Sequence, residues 1–160
     1  MNIRKVLSTI LVVLWMITIF HFSNQQGTGS SNTSKKVASI IINVFDIKQE
    51  KTEQEKDEIV KIIEPYIRKI AHYTIYMVGG ILIVNCINSF INKEKTVIIS
   101  STISGILYAT SDEVHQLLVN GRSGKVTDVV IDSIGIFTGI AIYLLIKQIV
   151  GRLKKAKGGE

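Results

Sequence analysis

VTDVVIDSIGIFTGIAIYLLIKQIV, residues 126 to 150, is the stretch whose reading decides the fold. Val129 to Val150 is long enough for a helix to cross a ~30 Å hydrocarbon layer, yet it carries Asp132 near its start. At about 100° per residue, Asp128 and Asp132 lie about 40° apart, and Gly135 and Gly139 fall within about 20° of Asp128. One narrow stripe therefore holds both aspartates and a GxxxG pattern. Small residues in a stripe mark close helix contact in a membrane, so this stripe is expected to face other helices and not lipid. An aspartate such as Asp132 costs roughly 2.5 to 3.5 kcal/mol at the bilayer centre and less near the interface, so it needs a partner from a neighbouring helix.

Three further apolar runs accompany it: Val6 to Phe22, which has no formal charge and follows Arg4 and Lys5, then Tyr73 to Ile91 and Thr96 to Ser111. Backbone groups in lipid must be satisfied within their own segment, so each run reads as a helix. The expected fold is an all-α, polytopic membrane protein of one domain over residues 1–160. It has four transmembrane helices, at about 6–22, 73–91, 96–111 and 129–150, and outer loops 23–71 and 112–128. The third run is short and should continue helically into DEVHQ. A cleaved signal peptide competes for residues 6–22, but no small-x-small cleavage site follows.

The apolar 46% of the chain is clustered in these runs, which favours a bilayer over a water-soluble core. The net charge of +6 does not form a basic stripe with interleaved aromatics, so nucleic acid is not an expected partner. Arg152, Lys154, Lys155 and Lys157 instead follow the last apolar run. With four spans both termini share one side, and the basic ends place them in the cytoplasm, with the loops outside. Against this, the outer loops hold ten Lys or Arg residues, and nine stand elsewhere in the chain. The lone Cys86 lies within a span and reads as a packing residue.

In the first outer loop, FSNQQGTGSSNTS at 22–34 reads as a turn region, and Val37 to Ile47 is expected at the membrane interface. Thr52 and Glu55 make a capping box for TEQEKDEIVKIIEPYIRKI, whose Ile59, Ile62, Ile63, Tyr66, Ile67 and Ile70 recur at helical spacing. This predicts an amphipathic helical outer loop. Pro65 should kink or break that helix, or else open one that runs into the membrane.

The polar residues converge on the outer helix ends. Ser101, Gly105, Tyr108 and Asp112 share one side of the third span, and His72, Tyr76 and Gly79 share a face of the second. Asn120, Gly121, Ser123 and Gly124 supply a permissive turn around Arg122. An ordinary hairpin with solvated charges is the plain alternative for that turn.

These residues resemble a known family. WMITIFHFSNQ, RKIAHYTIY and YATSDEVHQLLVNGRSGKVTDVVIDSIGIFTG together are similar to the VanZ-like family of small bacterial membrane proteins, named for a protein associated with low-level resistance to the glycopeptide teicoplanin. The resemblance implies a bacterial plasma-membrane protein of the cell envelope. Position by position, its pattern falls on Ser23, Gln25, Lys69, His72, Tyr76, Asp112, Glu113, Gln116, Gly121, Arg122, Asp128, Asp132 and Gly135. Ile75 stands where many relatives have an acidic residue, which removes one candidate acid or base.

Three readings follow. In the first, Ser23, Gln25, Lys69, His72, Asp112, Glu113, Gln116, Arg122, Asp128 and Asp132 line a ligand pocket. There Arg122 and Lys125 hold an anionic group of a lipid-linked wall precursor or a glycopeptide, Asp128 and Asp132 orient the arginine, and the loop helix covers the pocket. In the second, Glu113 and His72 are the acid and base of an interfacial hydrolase, with or without a divalent metal ion that carboxylate and imidazole could hold. In the third, Arg122 pairs with Asp128 or Asp132, and Glu113 bonds to Gln116, only to pin the helices. There is no HExxH, no cysteine pair and no nucleophile elbow, so the first reading leads, without a metal or cofactor. Membrane lipid is the expected surrounding, and the oligomeric state is left open.

Overall fold

The computed structural model describes residues 2–25, 27–45 and 52–157, and among them the chain is all helix and turn. The helices are α1 (Ile3–Ser23), α2 (Gly27–Phe45), α3 (Glu53–Phe90), α4 (Glu94–Gln116) and α5 (Val126–Lys157). Three of them, α1, α3 and α5, are long and apolar enough to cross a membrane. Their large side chains point outward: Leu7, Leu11 and Leu14 on α1 and Ile134, Phe137 and Leu145 on α5 are exposed, as a lipid-facing surface requires. α4 is less apolar because of its serines and threonines. Several of these bond back onto their own helix, as Ser101 does to the Val97 carbonyl (2.7 Å) and Thr110 to that of Ile106 (2.9 Å), so their hydroxyls are not left bare.

α5 packs chiefly on α3, and α4 and α1 flank the pair. The stripe expected on α5 is where the helices meet. A Cβ on Gly135 would stand 2.6 Å from the Tyr73 carbonyl oxygen, and one on Gly139 would overlap that of Met77. From the other side, a Cβ on Gly80 would overlap the Ile136 carbonyl oxygen. Trp15, Tyr76, Val84, Val97, Ile136 and Ile140 fill the core around this contact.

Trp15 joins α1 to α3. Its ring covers Gly79 and meets Tyr76 edge-on at 5.7 Å, and its indole N–H donates to the Ile75 carbonyl at 2.9 Å. Trp15→Phe keeps a ring but removes the donor and leaves a void, so we expect a loss of about 1–2 kcal/mol. Thermal unfolding in detergent micelles checks this, and an unchanged midpoint would refute it.

Two expectations about the first loop are corrected. The Gly/Ser/Asn-rich segment is not all turn, because α2 begins at Gly27; only the stretch after Ser23 turns. Ala38 and Ile42 of α2 bury against Val60 of α3, and this packing holds a helix that its composition alone would not. The segment expected at the interface is the second half of α2, and its end at residues 46 and 47 lies outside the described residues. The capping box at Thr52 forms as expected, with Glu55 accepting from the Thr52 N–H at 2.7 Å. Pro65, however, neither breaks the helix nor opens a new one. α3 runs through it, anchored by the α2 contact on one side and by α1 and α5 on the other.

Candidate functional site

Near the junction of α1 and α2, a cavity of about 300 Å³ opens among α1, α2, α3, α4 and the turn after α4. Its wall is apolar on one side, from Ile19, Phe22, Ala71 and Ile75, and polar on the other, from Ser23, Gln25, Thr33, Ser34, Arg68, His72, Asp112 and Arg122.

Asp112 anchors the polar side. It is buried and accepts three hydrogen bonds: from the Ser23 hydroxyl at the end of α1, from the Tyr76 hydroxyl on α3 (3.0 Å) and from the Gln116 amide one turn along α4 (3.0 Å). One carboxylate thus ties three helices together, and its lone pairs are largely taken.

The Arg122 turn is built from local backbone rules. Gly121 has φ of +75°, a conformation that favours glycine, and a Cβ on Gly27 at the start of α2 would overlap the Gly121 carbonyl oxygen. The Gly27 N–H bonds to the Asn120 carbonyl at 3.4 Å, so the turn is docked on α2. Glu113 closes it from below, accepting the Lys125 backbone N–H at 2.9 Å. Arg122 is half-buried on the cavity wall. Burial is the largest influence on its guanidinium and draws its pKa below the ordinary value; the Asp112 carboxylate opposes this, and the neighbouring Arg68 adds to it.

Behind this wall, His72 Nδ1 stands 3.5 Å from Asp132 Oδ1, and Asp132 is wholly buried. The histidine of α3 is therefore the neighbour that the apolar run demanded for Asp132, within ion-pair range but too far for a hydrogen bond. Asp128 is half-buried in a second, smaller cleft of about 100 Å³, shared with Lys69, Arg68, His72 and Lys125.

A family model described as VanZ/LLP1 matches residues 8–147, a span that includes every residue of both clefts. The chain belongs to the VanZ/LLP1 family. No curated protein and no solved structure matches it significantly.

In this VanZ/LLP1 chain, the structure brings Ser23, Gln25, His72, Asp112 and Arg122 to one cavity, with Gln116 bonded to its floor. Lys69 and Asp128 belong to the other cleft, and Glu113 and Asp132 lie behind His72. The expected pairing of Arg122 with Asp128 or Asp132 does not occur among the described residues, because Asp132 faces α3 and not the turn. Gln116 bonds to Asp112 instead of Glu113, one helical turn away on the same side. The wall over the cavity is α2, through Thr33 and Ser34, and not the acidic start of α3.

Sequence reasoning left Arg68 out of the site, and placed Tyr76 on the polar face and in the family pattern but not among the pocket residues. Both carried a signal: Arg68, His72 and Tyr76 follow one another at four-residue steps and so share a face of α3. Arg68 pairs with Glu64, and its Nε is buried without a hydrogen-bond partner among the described residues.

Proposed function

We propose that this VanZ/LLP1 member is a cell-envelope protein of the bacterial plasma membrane whose cavity binds the anionic group of an amphiphile, a lipid-linked wall precursor or a glycopeptide. The observation that carries the reading is the pairing of Arg68 and Arg122 on one wall with Ile19, Phe22 and Ile75 on the other. A guanidinium fork suits phosphate or carboxylate, and an apolar wall suits a chain or ring attached to it. Asp112 stands in the same space, but its bonds to Ser23, Tyr76 and Gln116 leave Arg122 available.

The reading includes a fourth crossing. α4 has 23 residues, about 34 Å of helix, and presents Ile99, Ile103 and Leu107 outward at four-residue steps. With four crossings both termini are cytoplasmic and the cavity faces the outer leaflet, with α2 lying over it and the amphipathic first half of α3 completing the outer loop. Low-level teicoplanin resistance is the phenotype this placement would give.

Arg122→Ala should weaken binding of the anionic ligand at least tenfold, the worth of one charge-assisted hydrogen bond, while the protein still reaches the membrane. Arg122→Lys should fall nearly as far, because the fork is lost although the charge remains. Binding is measured on purified protein with a lipid-linked precursor in one arm and teicoplanin in another, beside susceptibility of the expressing strain. Unchanged binding of both ligands in Arg122→Ala sinks the proposal; disappearance of the variant from the membrane would assign Arg122 a structural role.

A further inference from the structure

Behind the cavity wall, His72 of α3, Glu113 of α4 and Asp132 of α5 come together, and one ligand-capable atom from each lies within 4.8 Å of the other two. Glu113 is 4% exposed and Asp132 0%. Among the described residues, His72 Nδ1, Glu113 Oε1 and both oxygens of Asp132 are buried with no hydrogen-bond partner. A buried carboxylate left without a partner is costly, and here orphaned atoms from three helices point at one place. Asp112, one residue from Glu113, has its bonds filled, so the lack is specific to this cluster.

Distance separates the explanations. The 3.5 Å between His72 Nδ1 and Asp132 Oδ1 is long for an N–H···O bond, which is usually about 2.9 Å. Two ligand atoms that each stand about 2.1 Å from one ion at a tetrahedral angle are about 3.4 Å apart. Glu113 is also held as a metal ligand would be, since its other oxygen accepts the Lys125 N–H at 2.9 Å and fixes its direction.

We propose that His72, Glu113 and Asp132 bind a divalent metal ion of the zinc or manganese class. One imidazole nitrogen and two carboxylate oxygens suit such an ion, and two carboxylates balance its charge. Three protein ligands leave at least one position for water or for an oxygen of a bound molecule. From the sequence, a divalent metal entered only as an option for Glu113 and His72 in the hydrolase reading; Asp132 completes the set from a third helix, which no local motif shows. The site does not depend on the anion-binding proposal, although His72 also lines that cavity.

The test uses the full-length protein in detergent, stripped with a chelator and titrated separately with Zn2+ and Mn2+, with the bound metal counted by elemental analysis. About one equivalent per chain is expected for at least one ion, with affinity at least a hundredfold weaker in Asp132→Asn and in Glu113→Gln. Arg122→Ala should keep the metal while losing the anionic ligand, so the two proposals fail separately. Should Asp132→Asn not fold, Glu113→Gln and the wild type decide. Wild-type protein that takes up neither ion at millimolar concentration overturns the site, as does full affinity in a folded Glu113→Gln or Asp132→Asn variant.

Discussion

Asp112→Ala is expected to loosen three helices at once and to cost about 3 kcal/mol of stability. The side chain is 6% exposed and receives donors from α1, α3 and α4: the Ser23 hydroxyl, the Tyr76 hydroxyl and the Gln116 amide. Removing the carboxylate strands all three, and each stranded buried group costs roughly 1–3 kcal/mol. Hydrogen bonds between membrane helices average only about 0.6 kcal/mol, which sets a lower bound near ~1 kcal/mol for the two that cross to α1 and α3. Asp112→Asn should be far milder, at about 1 kcal/mol. Its amide oxygen can accept from Tyr76 and Gln116 while its NH2 faces Ser23, whose hydroxyl can turn and accept. Denaturation of the purified protein in mixed micelles reads both variants. If Ala is as stable as wild type, or Asn as damaged as Ala, the three-way bond is not what holds these helix ends.

That bond shows where the sequence stops being readable. The stripe of Asp128, Asp132, Gly135 and Gly139 was legible because it depends only on the angle between residues of one helix, and the structure places Gly135 and Gly139 against α3 as the stripe requires. Asp132's need for a partner was legible for the same reason. Its partner was not, because the choice between His72 and Arg122 depends on the register between helices, which periodicity within a helix does not set. The same gap explains why Gln116 was assigned to Glu113 and not to Asp112. α2 was missed from the other direction: glycine, serine and asparagine disfavour a helix locally, and only contacts with Val60 and the Gly121 turn override them. Pro65 belongs with it, a local breaker overruled by anchoring on both sides. Arg68 and Tyr76, by contrast, were readable from their spacing to His72.

Gly139→Leu is expected to separate α5 from α3, and Gly139→Ala to do so in part, at about 1–3 kcal/mol. A Cβ at Gly139 would overlap the Met77 carbonyl oxygen and lie 2.9 Å from the Ile81 nitrogen. These are backbone atoms, which cannot rotate away as a side chain can, so the helices themselves must move apart. Gly135 and Gly80 also approach backbone carbonyl oxygens along the same contact, at 2.6 and 2.4 Å from a would-be Cβ, and leave little slack beside it. Gly151, on the same helix, has nothing within 4 Å of a would-be Cβ; Gly151→Ala should be neutral or gain up to about 1 kcal/mol from better helix propensity. Thermal midpoints of the variants in one detergent give the comparison, and a Gly139→Ala midpoint equal to that of Gly151→Ala would show that the contact tolerates a methyl group. Asp132 rides on the same face of α5, two turns away, and reaches His72 only while α5 stays close to α3. Gly139→Ala should therefore weaken metal binding as well, although residue 139 offers no ligand. Destabilisation with unchanged metal affinity would mean that the glycine contact holds the helices together without setting the position of the polar residues.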